Sequence, residues 1–143
     1  MFNRDPAATA WAYAGTNYTF PGWRTATGLL SPGQAVSGLP TTTRVVVRGN
    51  PYEANRGNVV VYNWGHLTSV PLDLSGVLQP GTAYEIRNVQ DLFGSAVVSG
   101  TYDGSAVALP MRAVAPPIPV GLSSSRAPAT GTDFNVYVVM PRP

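Results

Sequence analysis

Short runs of strand-forming residues, separated by turn formers, constrain the fold of this chain more than any other feature. The runs are rich in Val, Ile, Tyr and Thr, and recur at intervals of roughly 8–15 residues between Gly, Pro, Asn and Ser. The predicted strands cover residues 43–49, 58–64, 68–74, 83–89, 95–102, 105–111 and 133–140. Helix is limited to single turns at 89–95 and 21–28, because no segment sustains a 3.6-residue period. We therefore predict an all-β, antiparallel β-sandwich (jelly-roll or immunoglobulin-like), with a barrel-like variant second.

Two turn sequences indicate how neighbouring strands are joined. Asp103 and Gly104 stand between two strand-like runs, and this dipeptide is the strongest short signal for a hairpin, because a type I′ turn needs positive φ at both positions. In the stretch LQPGTAY, Pro80 presets φ and Gly81 supplies the left-handed residue of a turn that enters a strand. We expect a hairpin at the first site and a Pro-Gly turn at the second.

A chain of 143 residues is the length of one ordinary domain with a sizeable core. Residues 1–40 spread aromatic side chains among Gly, Ala and Thr, and predict a loop-rich N-terminal arm with one or two strands. Residues 41–111 hold the core strands. Residues 112–132 predict an extended crossover, because prolines cannot occupy a central strand. The closing strand is expected at 133–140.

The charge and composition exclude several classes of protein. The net charge is +2, and the nine basic residues are all Arg and are scattered, which argues against nucleic-acid binding. The chain has no Cys, which excludes a disulfide framework and Cys-ligated metal sites. No apolar run approaches the ~18–20 residues of a membrane span, and no signal peptide opens the chain. We expect Met1 to begin a domain excised from a longer secreted parent.

Catalytic groups are scarce, so we predict that the domain is not an enzyme. A Ser-His-Asp triad would depend on His66 alone, which lies in a predicted turn and is interpreted as a solvated loop histidine. Sequence spacing cannot show whether two carboxylates form a glycosidase pair. The candidates for such a pair are Glu53, Asp73, Glu85, Asp91 and Asp103. No cofactor is predicted, because no Asp-x-Asp-x-Asp run supports a structural calcium site.

Aromatic side chains are the better lead to function. A sugar-binding surface needs exposed rings, because the C–H face of a pyranose lies flat on a ring while polar neighbours bind the hydroxyls. The irregular arm holds Trp11, Tyr13, Tyr18, Phe20 and Trp23, which could form such a platform. The competing interpretation is that these rings pack the arm onto the sandwich, since aromatic side chains are usually buried.

The stretch YEANRGNVVVYNWGH, residues 52–66, combines a polar turn with a valine-rich strand. Alternation places Val60, Tyr62 and Trp64 on one face of that strand. Valines on both faces predict a central, doubly covered strand, with Tyr62 and Trp64 in the core or at its edge. In the preceding turn we expect Arg56 to pair with Glu53. The carbohydrate-binding candidates over the whole chain are Trp11, Tyr13, Tyr18, Trp23, Tyr52 and Arg56.

Residues 17–140 resemble the C-terminal β-sandwich of secreted bacterial proteins that carry right-handed parallel β-helix domains of the pectate-lyase-like type. The residues that carry the resemblance are Asn50, Tyr52-Glu53, Arg56, Tyr62-Asn63-Trp64, Asp73-Leu74-Ser75, Tyr84-Glu85, Asn88 to Gln90, Phe93-Gly94, Gly100-Thr101-Tyr102 and Leu109-Pro110-Met111. Upstream FPGWRTATG and downstream TGTDFNVYVVM are also similar. Ala54-Asn55 departs from the pattern, where a tighter Pro-Gly-type turn is expected. A more general likeness is to accessory C-terminal sandwiches of glycoside hydrolases.

The resemblance implies an extracellular or cell-surface, polysaccharide-associated setting and carries over no catalytic residue. The first functional hypothesis is a non-catalytic accessory module that binds carbohydrate through exposed aromatics. The alternative is a structural, assembly or surface-attachment sandwich without a small ligand. A small glycan-active enzyme comes third. The expected partner is a polysaccharide or a neighbouring domain of the parent protein.

Overall fold

The computed structural model describes residues 2–29, 32–121, 128 and 131–142. The chain divides into two compact units, Met1–Thr41 and Thr42–Pro143. The boundary falls at the end of the predicted aromatic arm.

The described residues of the N-terminal unit form four short strands and one helix. Its elements are β1 (Phe2–Asn3), β2 (Trp11–Tyr13), β3 (Thr16–Tyr18), α1 (Phe20–Thr27) and β4 (Ala35–Val36). β1 and β4 pair in parallel, and β2 and β3 form an antiparallel hairpin. The loop of that hairpin is Ala14-Gly15, and both residues have positive φ (48° and 79°), as a type I′ turn requires.

Local capping explains why a helix forms in the arm. The Thr19 hydroxyl accepts a hydrogen bond from the Gly22 amide, and Pro21 lies in the first turn, where a missing N–H costs nothing. At the other end Gly28 adopts a left-handed conformation (φ 65°), and its amide donates to the Arg24 carbonyl at 2.9 Å. The helix therefore extends over eight residues, longer than the single turn predicted here.

The described residues of the second unit form seven strands, and each corresponds to a strand predicted from the sequence. They are β5 (Arg44–Gly49), β6 (Gly57–Tyr62), β7 (Ser69–Leu72), β8 (Ala83–Asn88), β9 (Val98–Thr101), β10 (Val107–Pro110) and β11 (Phe134–Pro141). A single 3₁₀ turn, Val89–Asp91, lies where one helical turn was expected. Five strands form an antiparallel sheet in the order β5-β6-β11-β8-β9, and β10 pairs with β7 in a second sheet. The all-β, sandwich-like prediction is confirmed.

The core of this unit lies between its two sheets. Alternate residues of the large sheet point inward, as Val59 and Val61 do on β6, and both are fully buried. The other buried apolar side chains of this core are Val70, Leu72, Leu74, Leu78, Tyr84, Ile86, Tyr102, Leu109, Met111, Tyr137 and Val139. The opposite side of the five-stranded sheet is termed the outer face.

The two predicted turns have different outcomes. At Pro80-Gly81 the Thr82 amide donates to the Gln79 carbonyl at 3.0 Å and Gly81 has φ 91°, so the Pro-Gly turn is confirmed. The hairpin at Asp103-Gly104 is wrong, because β9 pairs with β8 and β10 pairs with β7. Only Gly104 has positive φ, and the Asp103 carboxylate accepts the Ser105 amide at 2.8 Å. The aspartate therefore closes a local turn while the chain crosses from one sheet to the other.

Buried asparagines hold the loops at one end of the large sheet. The side-chain amide of Asn88 donates to the Asn135 side chain at 2.8 Å, and both residues are almost fully buried. Asn135 in turn donates to the Gly131 carbonyl at 2.7 Å. The described residues of the predicted crossover, 112–121, 128 and 131–132, contain no strand or helix, as expected. The asparagines thus fix the residues that precede the last strand.

Candidate functional site

The outer face brings three polar or charged residues next to a patch of apolar and aromatic side chains. Strand register places these residues in three rows that run across the sheet. The rows are Arg44–Tyr62–Phe134, Val46–Val60–Val136 and Arg48–Asn58–Val138. The three valines of the middle row are half-buried, whereas Arg44, Arg48 and Asn58 are exposed. The surface is therefore apolar in its middle row and polar at Arg44 and Arg48 on β5 and at Asn58 on β6.

An open cleft of about 420 Å³ lies on the β5–β6 part of this face. Its volume falls within the range typical of small-ligand sites. The lining residues are Arg44, Val46, Arg48, Asn58, Val60 and Tyr62. The lining thus contains two cations, one amide, one phenol ring and two aliphatic side chains, and no carboxylate.

Two aromatic rings extend the cleft at its Arg44 end. The rings of Tyr62 and Trp64 lie 6.1 Å apart between centroids, with their planes only 20° from parallel. Phe134 packs against Tyr62 at 5.2 Å and supports it from the neighbouring strand. Tyr62 is 36% exposed and Trp64 is 38% exposed, so ring surface remains open to solvent.

The prediction that Tyr62 and Trp64 lie in the core or at its edge is therefore wrong, because both side chains lie on the outer face. The alternation itself was correct, since Asn63 and Val61 point inward and Tyr62 and Trp64 point outward. The second sheet packs on the inner side of β6, and the valine on the outer side, Val60, is only half-buried by its neighbours. β6 is an interior strand of the sheet, but it is not covered on both faces.

The arginines of the outer face are of two kinds. Arg87 is held in a fork by Glu85, with Nε–Oε1 at 2.7 Å and Nη2–Oε2 at 3.0 Å, and it also donates to the carbonyls of Leu92 and Gly94. The hydrogen bond from Arg87 holds the pKa of Glu85 below its usual range. By contrast, Arg44 and Arg48 make no ion pair with any residue that the structure describes. The guanidinium of Arg87 is therefore engaged in hydrogen bonds within the protein, whereas those of the two cleft arginines are available to a ligand.

Trp11 and Trp23, the tryptophans predicted to bind carbohydrate, pack on one another within the N-terminal unit. Trp11 contacts Phe20 at a centroid distance of 4.7 Å and meets Phe2 edge-on at 5.3 Å. The indole N–H of Trp23 donates to the Ala12 carbonyl at 3.1 Å. Two candidate tyrosines differ in exposure: Tyr18 is half-buried and Tyr13 is 48% exposed. Much of the ring surface of both tryptophans is thus used in packing.

The remaining candidates, Tyr52 and Arg56, lie in the turn before β6. Arg56 donates to Glu53 at 3.0 Å, which confirms the predicted pairing across this loop. Tyr52 is almost completely exposed. The candidate residues are therefore divided between the two units, with four in the first and two in the second.

His66 lies in an exposed turn, as its position next to Gly65 predicted. Its φ is 50°, and its Nδ1 lies 2.9 Å from Oδ1 of Asp133. Among the described residues, His66 has no hydrogen bond to a hydroxyl group that could act as a nucleophile. The part of the chain that the structure describes also contains no group of three or more His, Cys, Asp or Glu side chains arranged to hold a metal ion.

Sequence reasoning missed Arg44, Arg48 and Asn58 as site residues. A signal was present in the pattern Arg-x-Val-x-Arg on β5 and Asn-x-Val-x-Tyr on β6. In each strand, the alternation places the three named residues on the same face. It becomes visible only once the pairing of these strands is known.

Searches of protein-family models, curated proteins and solved structures found no match to this chain. The resemblance to the sandwich of pectate-lyase-like proteins therefore stays a prediction. Neither helix in the described residues has the length and apolar character needed to cross a membrane.

Proposed function

We propose that the second unit is a non-catalytic glycan-binding module and that the outer face carries its binding surface. The observation that supports this most directly is the pair of near-parallel, partly exposed rings of Tyr62 and Trp64 beside the open cleft. A pyranose can place its C–H face on such a ring while polar side chains bind its hydroxyl groups. Asn58 supplies both a donor and an acceptor within the same cleft.

The proposed binding surface belongs to the second unit and not to the aromatic arm. The two tryptophans of the arm pack against other rings, whereas Tyr62 lines a cleft that has its own polar groups, and Trp64 stacks on Tyr62. The low charged fraction of 11% also suits recognition of hydroxyl-rich ligands. In the proposed setting, the unit is an accessory domain of a secreted bacterial protein that acts on or adheres to polysaccharide outside the cell.

The test is glycan binding by the full chain, measured by isothermal titration calorimetry and affinity electrophoresis against plant and microbial polysaccharides. Trp64→Ala should weaken binding about 5- to 150-fold, because stacking of a ligand ring on an aromatic side chain contributes about 1–3 kcal/mol. Tyr52→Ala and Tyr13→Ala remove exposed rings elsewhere and should leave affinity unchanged. Loss of binding in those controls, with Trp64→Ala unaffected, would assign the platform to the regions predicted from the sequence instead. Absence of binding to every glycan would refute the proposal.

A second candidate function is assembly with a neighbouring domain or another copy of the chain. It is favoured by the half-buried apolar residues Val46, Val60, Val136, Val138 and Met140 on the outer face. Light scattering separates the two functions. A monomer at all concentrations, together with glycan binding, favours the first, and a concentration-dependent dimer that Val136→Lys disrupts favours the second.

A further inference from the structure

The cleft on the outer face has a charge asymmetry that a neutral sugar ligand does not require. Two of its six lining residues are arginines, and none of the lining residues is acidic. Glu85, an acidic residue on the same face, is held by Arg87 in a two-bond fork. Arg44 and Arg48 thus keep their positive charge unpaired with respect to the described residues.

The two arginines lie on the same side of β5, four residues apart. Strand geometry places their Cα atoms roughly 13 Å from each other, with Val46 between them. The separation of the two Cα atoms exceeds the width of one sugar ring, so each arginine can bind a separate sugar unit of a longer chain. A chain that carries a negative group on more than one sugar unit can contact both while its rings lie against Val60 and Tyr62.

The chemistry of arginine narrows the kind of negative group. The guanidinium is planar and always charged, and its fork of donors matches a carboxylate by two parallel hydrogen bonds. Lysine, a point charge without that geometry, is absent from the whole chain. The neighbouring Asn58 can bind a hydroxyl beside the carboxylate.

We propose that the ligand of this face is a polyuronate, an acidic polysaccharide in which Arg44 and Arg48 each bind the carboxylate of a different sugar unit. This inference rests on the proposed glycan-binding function and specifies the class of glycan. The aromatic pair Tyr62 and Trp64 stacks on sugar rings whether or not they are charged. The arginines select acidic over neutral chains.

The experiment compares two polyuronates (alginate and polygalacturonate) with their carboxyl-reduced forms, which keep the backbone and lose the charge. Binding of the full chain is measured by isothermal titration at low and high salt. At least one polyuronate should bind tenfold or more tightly than its reduced form. Arg44→Gln and Arg48→Gln should each lower that affinity about ten- to a hundredfold, as expected for a lost charge-assisted hydrogen bond.

Arg112→Gln is the matched control, because Arg112 is also exposed but does not line the cleft. It removes the same charge and should change the affinity for the polyuronate by less than about twofold if binding is local rather than a response to net charge. Dextran sulfate serves as a second control, since a purely electrostatic surface would bind it at least as well as any polyuronate. Equal losses in Arg112→Gln, or stronger binding to dextran sulfate, would overturn the inference.

The failures of the two proposals are distinguishable. If glycans bind and Trp64→Ala weakens them, but no polyuronate is preferred to its reduced form, the glycan-binding function stands and the polyuronate inference is overturned. If no neutral or acidic glycan binds, both are overturned. Circular dichroism of each variant verifies folding, which these exposed positions should not affect.

Discussion

Replacement of the buried Asn63 provides the sharpest test of how this sandwich is held together. Its side chain is fully buried and uses all of its hydrogen-bonding capacity. The Oδ1 atom accepts from the Thr43 hydroxyl and the Leu67 amide, both at 3.0 Å. The Nδ2 group donates to the carbonyls of Leu67 at 2.8 Å and Thr132 at 3.0 Å. One residue thus joins the chain before β5, the turn after β6 and the segment that precedes β11.

Asn63→Ala removes four hydrogen bonds of a fully buried side chain, and the partner groups of these bonds are partly buried. Each bond contributes about 1 kcal/mol net, and a stranded buried group costs about as much again. Because the partner residues lie near enough to the surface to bind water instead, we expect the four lost bonds to lower the free energy of unfolding by roughly 3–5 kcal/mol. Because a domain is stable by only about 5–15 kcal/mol, this is a large fraction of the total.

The assay is urea unfolding of the full chain, followed by circular dichroism in the far ultraviolet. With an m-value of about 2 kcal/mol/M, the expected loss lowers the transition midpoint by roughly 1.5–2.5 M. Asn58→Ala is the matched control, because Asn58 lies on β6, which ends one residue before Asn63, with its side chain on the exposed outer face. It should change stability by no more than about 0.5 kcal/mol. A loss below about 1 kcal/mol for Asn63→Ala, or equal losses for both variants, would refute the account of Asn63 as the link between these segments.

Further predictions concern close packing and alkaline pH. Gly57→Ala should destabilise the protein by about 1–3 kcal/mol, because a Cβ there would lie 3.0 Å from both the Arg48 carbonyl oxygen and the Val77 side chain. Gly76→Ala, where no atom lies within 4 Å, should be tolerated within about 0.5 kcal/mol, and equal effects in urea melts would contradict the packing account. Burial raises the pKa of Tyr137 from 10.0 to about 12. Its contribution to stability is therefore full below pH 10 and is lost as the pH rises towards 12, by up to roughly 2.5 kcal/mol. Urea melts between pH 8 and 11.5 should show this decline, and Tyr137→Phe should reduce it; an unchanged slope in that variant would assign the decline to other groups.

The strands were predictable from the sequence because their signal is local. Alternation and β-branched composition identify a strand wherever it pairs, and Pro80-Gly81 defines its turn within four residues. The caps of the helix in the arm were also local, since Thr19 and Gly28 bracket it, but a segment of eight residues is too short to show a helical period.

The predictions that were wrong depend on how a segment pairs and packs with distant parts of the chain. Asp103-Gly104 has the sequence typical of a hairpin turn. However, β9 pairs with β8 and β10 pairs with β7, so the chain crosses into the other sheet at that point. Alternation correctly grouped Tyr62 with Trp64, yet it cannot tell which face of a strand the second sheet will cover. The cleft arginines became site residues only through the register between β5 and β6, which is a property of the pairing and not of either strand alone.

The position of β11 in the large sheet sets the order in which this protein can be made. β11 comes last of the strands along the chain, yet it lies between β6 and β8 and joins the pair β5–β6 to the pair β8–β9. While the ribosome is still adding the residues before 134, the two strand pairs have no common partner, and their inner edges remain open. Closure of the sheet therefore has to wait until almost the whole unit has been synthesised. Such long-range pairing folds slowly, and the open edges are a hazard for aggregation until the last strand inserts.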